Sequence, residues 1–252
     1  MTQKNTIPQA ALRPLIAANW KMHGDMSWIE KLYEFDEIFP AGERAGIDVL
    51  IFPPAPLIFP MMERCGGKDI WLGGQNCHAA EKGAHTGELS AEMLESVGAD
   101  YVIVGHSERR AHPELGGETD ADTRAKAQAC ARAELIPIIC VGESLAQREA
   151  GEALAVVASQ ISGSVPDIAD YVIAYEPVWA IGTGKVATLD DIAEMHAAIR
   201  GQVGPDVRIL YGGSVKPANA KDILATANVN GALIGGAGLE MESLAAIARF
   251  AV

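Results

Sequence analysis

Short apolar runs recur along the whole chain, at 15–19, 49–52, 70–74, 101–105, 136–141, 171–176, 208–211 and 231–235. Several lack the alternation of a half-exposed strand, a pattern expected of strands buried on both faces of a parallel sheet. Amphipathic stretches with helix-start signals lie between them. Ser27 with Glu30 predicts a capping box before a helix over 28–39, and Ser90 can cap 91–97. Thr119 with Asp122 opens 120–134, and Thr188 with Asp191 opens 189–200. Pro217 stands where a first helical residue belongs, before 218–225, and Glu240 begins the last helix.

Eight strands, with a helix after almost every one and no hairpin signal, predict an α/β chain with a parallel sheet and right-handed crossovers. Eight such units favour a closed, single-domain (β/α)8 barrel over an open doubly wound sheet. The 252 residues suit one barrel. The expected partition is one domain over 1–252, with 1–12 a loose N-terminal extension.

Composition narrows the function. Hydrophobic residues make up 49% of the chain, which excludes a disordered protein. No apolar run approaches the roughly 20 residues of a membrane span. The polar start MTQKNTIPQA lacks the apolar block of a secretory signal, so a cytoplasmic location is expected. The net charge of −13 argues against nucleic acid and anionic membranes as partners. It leaves room for a small anionic substrate, since a local group of N–H donors and one Lys can outweigh the global field. Cys65, Cys77, Cys130 and Cys140 have no zinc-ligand spacing and read as reduced thiols.

A barrel directs attention to the residues just past each strand, where the βα loops build active sites. Lys21 follows the first strand and is either a cation for a phosphate or oxyanion, or a solvated loop Lys. His106 follows the fourth. It can hydrogen-bond to a reacting carbonyl, and facing a helix N-terminus it stays neutral; the alternative is a structural His. Glu108 is a salt-bridge partner or a second polar group of the site. Glu176 ends the sixth strand beside the apolar loop 177–185, where desolvation makes a carboxylate a stronger base. The loop's Pro, glycines, Val178, Trp179 and Ile181 predict a lid that closes over substrate. Two Gly-Gly turns, Gly212-Gly213-Ser214 and Gly235-Gly236, follow the last two strands and suit a phosphate.

These segments resemble the triosephosphate isomerase family over nearly the whole chain. The resemblance rests on Asn19-Trp20-Lys21-Met22, Gly83 to Glu88, Gly105-His106-Ser107-Glu108-Arg109-Arg110, Cys140-Val141-Gly142-Glu143, Tyr175 to Lys185 and Tyr211 to Val215. It implies that Glu176 is the base toward carbon and that neutral His106 polarises the carbonyl and shuttles protons between the enediol oxygens. It implies that Lys21 stabilises negative charge, that Asn19 orients substrate and His106, and that Glu108 is auxiliary. Gly182, Ser214, Gly235 and Gly236 would bind the phosphate. The implied reaction interconverts dihydroxyacetone phosphate and D-glyceraldehyde 3-phosphate, in glycolysis and gluconeogenesis, with no metal and no cofactor. An isomerase of a four-carbon ketose phosphate and a non-catalytic metabolite-binding barrel are the alternatives. The resemblance also gives the 14-residue segment 75–88 a place: Thr86 at its tip would insert beside Asn19 and Lys21 of a second copy, making a homodimer. The chain departs from the family where Ser and a basic residue are usual, at Gly238 and Glu240, and carries His85 where a larger aromatic is common and His23 where Asn is common.

Overall fold

The computed structural model describes residues 12–65, 69–111, 116–181 and 186–252. Most of the expected 1–12 extension lies outside the described residues. Eight parallel strands close on themselves in chain order. They are β1 (Leu15–Asn19), β2 (Asp48–Phe52), β3 (Ile70–Gly74), β4 (Tyr101–Val104), β5 (Ile136–Val141), β6 (Val172–Tyr175), β7 (Arg208–Tyr211) and β8 (Gly231–Ile234). The ring shuts where β1 pairs with β8, Ala18 opposite Ile234, and with β2, Ala18 opposite Ile51.

The uninterrupted apolar runs have a direct cause. Alternate residues face opposite sides of a strand, and both sides are covered here. Leu15, Ala17, Leu50, Phe52, Ile103, Ile138, Cys140, Ala174, Leu210 and Leu233 fill the barrel interior. Ile16, Ala18, Val49, Ile51, Val104, Ile139 and Ile173 face the helical shell. Each such Leu, Ile or Phe contributes roughly 1.5–3 kcal/mol on burial. The same parity carries chemistry: Asn19 follows Leu15 and Ala17 on the interior side, and Glu176 follows Val172 and Ala174. Both side chains therefore reach the barrel axis at its C-terminal mouth. At the opposite end Arg208 donates to Asp48 at 2.7 Å and to the Tyr101 hydroxyl at 2.8 Å, and Arg13 pairs with Asp48 at 3.0 Å.

The shell contains α1 (Lys31–Ile38), α2 (Ile58–Cys65), α3 (Ala91–Ser96), α4 (Ser107–Arg110), α5 (Asp120–Arg132), α6 (Leu145–Glu149), α7 (Ala153–Ser164), α8 (Leu189–Val203), α9 (Pro217–Leu224) and α10 (Met241–Ala248). The capping boxes at Thr119/Asp122 and Thr188/Asp191 form, and Ser90 caps α3. The expected box at Ser27 and Glu30 does not form. Asp25 takes the Ser27 N–H instead and starts a 3-10 turn over Met26–Glu30, so α1 begins at Lys31. Glu240 is the N-cap of α10, one residue before its first helical position. Among the described residues no helix is long and apolar enough to cross a membrane.

Candidate active site

A cleft of about 330 Å³ opens at the C-terminal mouth, lined by Asn19, Lys21, His106, Glu108, Glu176, Ser214, Gly235 and Gly236 among others. It gathers all but two of the residues marked out by the sequence. Gly182 lies outside the described residues. Thr86 is exposed on the loop after β3, away from the cleft of its own chain.

Glu176 sits at the centre and is almost fully buried. Its Oε2 accepts the Ser107 backbone N–H at 2.9 Å, and its Oε1 accepts the Ser107 hydroxyl at 3.3 Å. Oε1 is also 3.0 Å from His106 Nε2. His106 caps α4, and its Nδ1 accepts the Glu108 backbone N–H at 3.2 Å. An Nδ1 that accepts carries no proton, which leaves Nε2 as the nitrogen that bears one. The ring thus stands at the N-terminus of α4, between Glu108 and Glu176.

The main chain of β6 brings Glu176 here through a close approach that only glycine permits. Glu176 N–H donates to Val141 O at 2.8 Å, and a Cβ on the next residue, Gly142, would lie 1.7 Å from Glu176 O. Glu143 follows, fully buried. One of its oxygens accepts from Trp179 Nε1 at 2.8 Å, from Arg148 Nε at 2.9 Å and from the Tyr175 hydroxyl at 3.1 Å. That network fixes the start of the 177–185 loop; residues 182–185, the last four of the expected lid, are outside the described residues. Cys140 is buried inside the barrel, and burial together with the nearby Glu176 charge pushes its thiol well up, so it stays protonated.

Lys21 occupies left-handed backbone, φ +52°. For a residue with a side chain this costs on the order of 1 kcal/mol and persists only where neighbours hold it. Asn19 Oδ1 accepts the Lys21 N–H at 2.9 Å, and Gln75 Nε2 donates to Lys21 O at 2.7 Å and to Phe52 O at 2.9 Å. The strained turn aims the Lys21 ammonium across the mouth, 2.6 Å from Glu108 Oε1. Burial pushes the Glu108 carboxyl up, but the Lys21 hydrogen bond together with the neighbouring His106 and Lys21 charges outweighs it, and the net shift is downward. The structure pairs these two residues at the cleft, the Lys21 ammonium with the Glu108 carboxylate.

Gln75, Ser107, Gly142 and Glu143 were not singled out as site residues by sequence reasoning. Their partners lie 32 to 69 residues away for Gly142's neighbour Glu143 with Tyr175 and for Ser107 with Glu176, so no local spacing marks them. Glu240, one of the departures, does not line the cleft; its exposed carboxylate is 3.8 Å from Lys31.

A profile of the triosephosphate isomerase family matches residues 14–251. The chain belongs to the triosephosphate isomerase family. It is 53% identical to the triosephosphate isomerase of Afipia carboxidovorans, over 94% of this chain and 97% of that one. It is 53% identical to that of a Ruegeria species, over 90% and 94%. The crystal structure of triosephosphate isomerase from Bartonella henselae superposes with a TM-score of 0.85 at 44% identity, covering 95% of this chain and 99% of that chain. Membership in this triosephosphate isomerase family agrees with the closed barrel and with the position of the cleft at its C-terminal mouth.

Proposed function

We propose that this protein is an isomerase that interconverts dihydroxyacetone phosphate and D-glyceraldehyde 3-phosphate. The observation that carries this reading is the meeting of a buried carboxylate, a His and a Lys held by Glu108 in one cleft with two Gly-Gly turns. The phosphate sits on the N–H groups of Gly235 and Gly236 and beside Ser214, and Lys21 adds positive charge. The carbonyl oxygen takes a hydrogen bond from His106 Nε2, in place of the Glu176 oxygen that stands 3.0 Å from it, and Asn19 helps orient both. Glu176 removes a proton from the carbon beside the carbonyl. The resulting enediolate is stabilised by His106 and Lys21, and His106 moves a proton between its two oxygens. Glu176 then returns its proton to the neighbouring carbon. The net change is a shift of one hydrogen from carbon to carbon and one from oxygen to oxygen, with no redox partner or metal in the balance. Glu108 holds Lys21 and supports His106 through its backbone N–H.

The working form in this reading is a cytoplasmic homodimer. A second cavity of about 270 Å³ lies beside Asn19, Lys21, Gln75 and Glu108, open to solvent. Met22 next to it is 96% exposed, an unusual cost for an apolar side chain in a lone subunit. The loop that carries Thr86 is closed at its base by His78 N–H to Leu89 O at 2.7 Å and by stacking of His78 on His85, ring centroids 3.9 Å apart. Thr86 therefore projects from a shaped loop, suited to fill the matching cavity of a second copy.

Turnover of triose and tetrose phosphates measured side by side tests the activity. The reading requires rapid conversion of the triose. Preference for the four-carbon ketose, or binding without turnover of either, would overturn it.

A further inference from the structure

The turn after β8 tightens into a 3-10 turn over Gly236–Gly238, closed by Gly238 N–H to Gly235 O at 2.8 Å. Gly235 and Gly236 face the cleft, whereas Gly238 is buried beneath it. Gly238 does not adopt left-handed backbone, so its conformation does not demand glycine. Space does. A Cβ on Gly238 would lie 2.9 Å from the Ala18 Cβ and 3.4 Å from the Ala18 Cα. Two methyl-sized groups cannot share that gap, since carbon contacts settle near 3.5–4.0 Å.

The two sides of the gap are not equally free to move. Ala18 is fully buried in β1, which is paired on one side with β2 and on the other with β8. The 236–238 turn has one side in the cleft. Any side chain at 238 therefore displaces the turn and leaves the strand in place.

We infer that Ala18 and Gly238 form a positioning pair: the gap between β1 and the turn holds one methyl group, and contact across it sets where the Gly235 and Gly236 N–H groups stand in the cleft. The inference rests on the phosphate role proposed for those glycines. It also accounts for one departure noted in the sequence. A serine at 238 has no room while residue 18 is alanine.

Four proteins test this: the parent, Gly238→Ser, Ala18→Gly, and the double variant. Competitive inhibition by inorganic phosphate, KM and kcat are measured on each, with direct phosphate binding by calorimetry alongside. Overpacking at Gly238→Ser is expected to weaken phosphate binding and raise KM by about tenfold, with kcat changed much less. In the Ala18→Gly background the same serine has room, and both constants return to those of Ala18→Gly alone. A Gly238→Ser protein that binds phosphate like the parent would overturn the pairing. So would a loss that Ala18→Gly does not reverse. If Gly238→Ser alone does not fold, the double variant decides: recovery of fold and phosphate binding supports the pairing, and failure to recover overturns it. Absence of triose turnover in the parent would strike the proposed reaction, while the calorimetric phosphate series would still read the coupling.

Discussion

Gln75 Nε2 donates to the carbonyl oxygen of Lys21 at 2.7 Å, joining the end of β3 to a strained residue 54 positions earlier. The same nitrogen also holds Phe52 O. Gln75→Ala removes the donor to Lys21 O, while Phe52 O keeps the Trp20 N–H at 3.1 Å, and frees Lys21 to leave its left-handed backbone. The expected cost is about 1–3 kcal/mol of stability from the unsatisfied carbonyl. KM should rise more than kcat falls, because Lys21 is proposed to bind the substrate's charge. Urea unfolding and steady-state kinetics on the same preparation check this; parent-like stability and KM would show that Gln75 does not hold Lys21.

Gly142→Ala tests the close approach behind Glu176. The added Cβ would meet Glu176 O at 1.7 Å, so the end of β6 or β5 must move. A displacement of the base by about an ångström is expected to lower kcat by about a hundredfold. Circular dichroism confirms that the barrel is intact before the rates are compared. Parent-like kcat would mean that this contact does not fix the carboxylate.

His196 gives the fold an acid limit. It is fully buried on α8, with Nδ1 3.2 Å from Asn228 O and its ring against Tyr175 and Tyr211. Burial lowers its pKa from 6.5 to about 4. The unfolded chain therefore takes up a proton on this His at higher pH than the folded one does. Stability from this group is complete above about pH 6.5 and is lost as pH falls toward 4. The full loss is up to about 3 kcal/mol. Urea unfolding between pH 6.5 and 4 should show the parent losing stability more steeply than His196→Gln. Equal slopes would rule out the assignment.

The strands were legible in the sequence because a barrel buries both faces and leaves apolar runs unbroken. The residues at the strand ends were legible because the strand parity that carries Ala17 and Ala174 inward also carries Asn19 and Glu176 to the mouth. The side-chain caps of α5 and α8 announced those helices, whereas the Ser144/Gln147 box of α6 heads only five residues and no helix was expected there. α2 and α7 went unannounced: Pro60 lies inside the first turn of α2, and Glu152 gives α7 no side-chain cap. The supporting residues were invisible for another reason. Ser107 matters only because β6 delivers Glu176 beside it, and Gly142 only because Glu176 O comes so near. Such roles exist in three dimensions and leave no spacing along the chain.

Thr86→Arg addresses assembly. A bulky cation at the loop tip would enter the cavity beside Lys21 of the second copy, where like charge and volume both oppose it. The expected product is a monomer with much-reduced turnover. Light scattering and an activity assay on one sample decide it: an undisturbed dimer, or a fully active monomer, would contradict the proposed contact.

The role of Glu176 is the centre of the account, and Glu176→Gln tests it most directly. The amide keeps the size of the side chain and can still accept the Ser107 N–H, but it cannot take a proton from carbon. Turnover of dihydroxyacetone phosphate in deuterated water, followed by NMR, reads both the rate and solvent hydrogen entering the carbon skeleton. The parent should incorporate deuterium as it isomerises. Glu176→Gln, still folded and still inhibited by phosphate, should lose about 10²–10⁴-fold or more in rate together with that exchange. A folded Glu176→Gln protein within a few-fold of the parent rate would contradict the account.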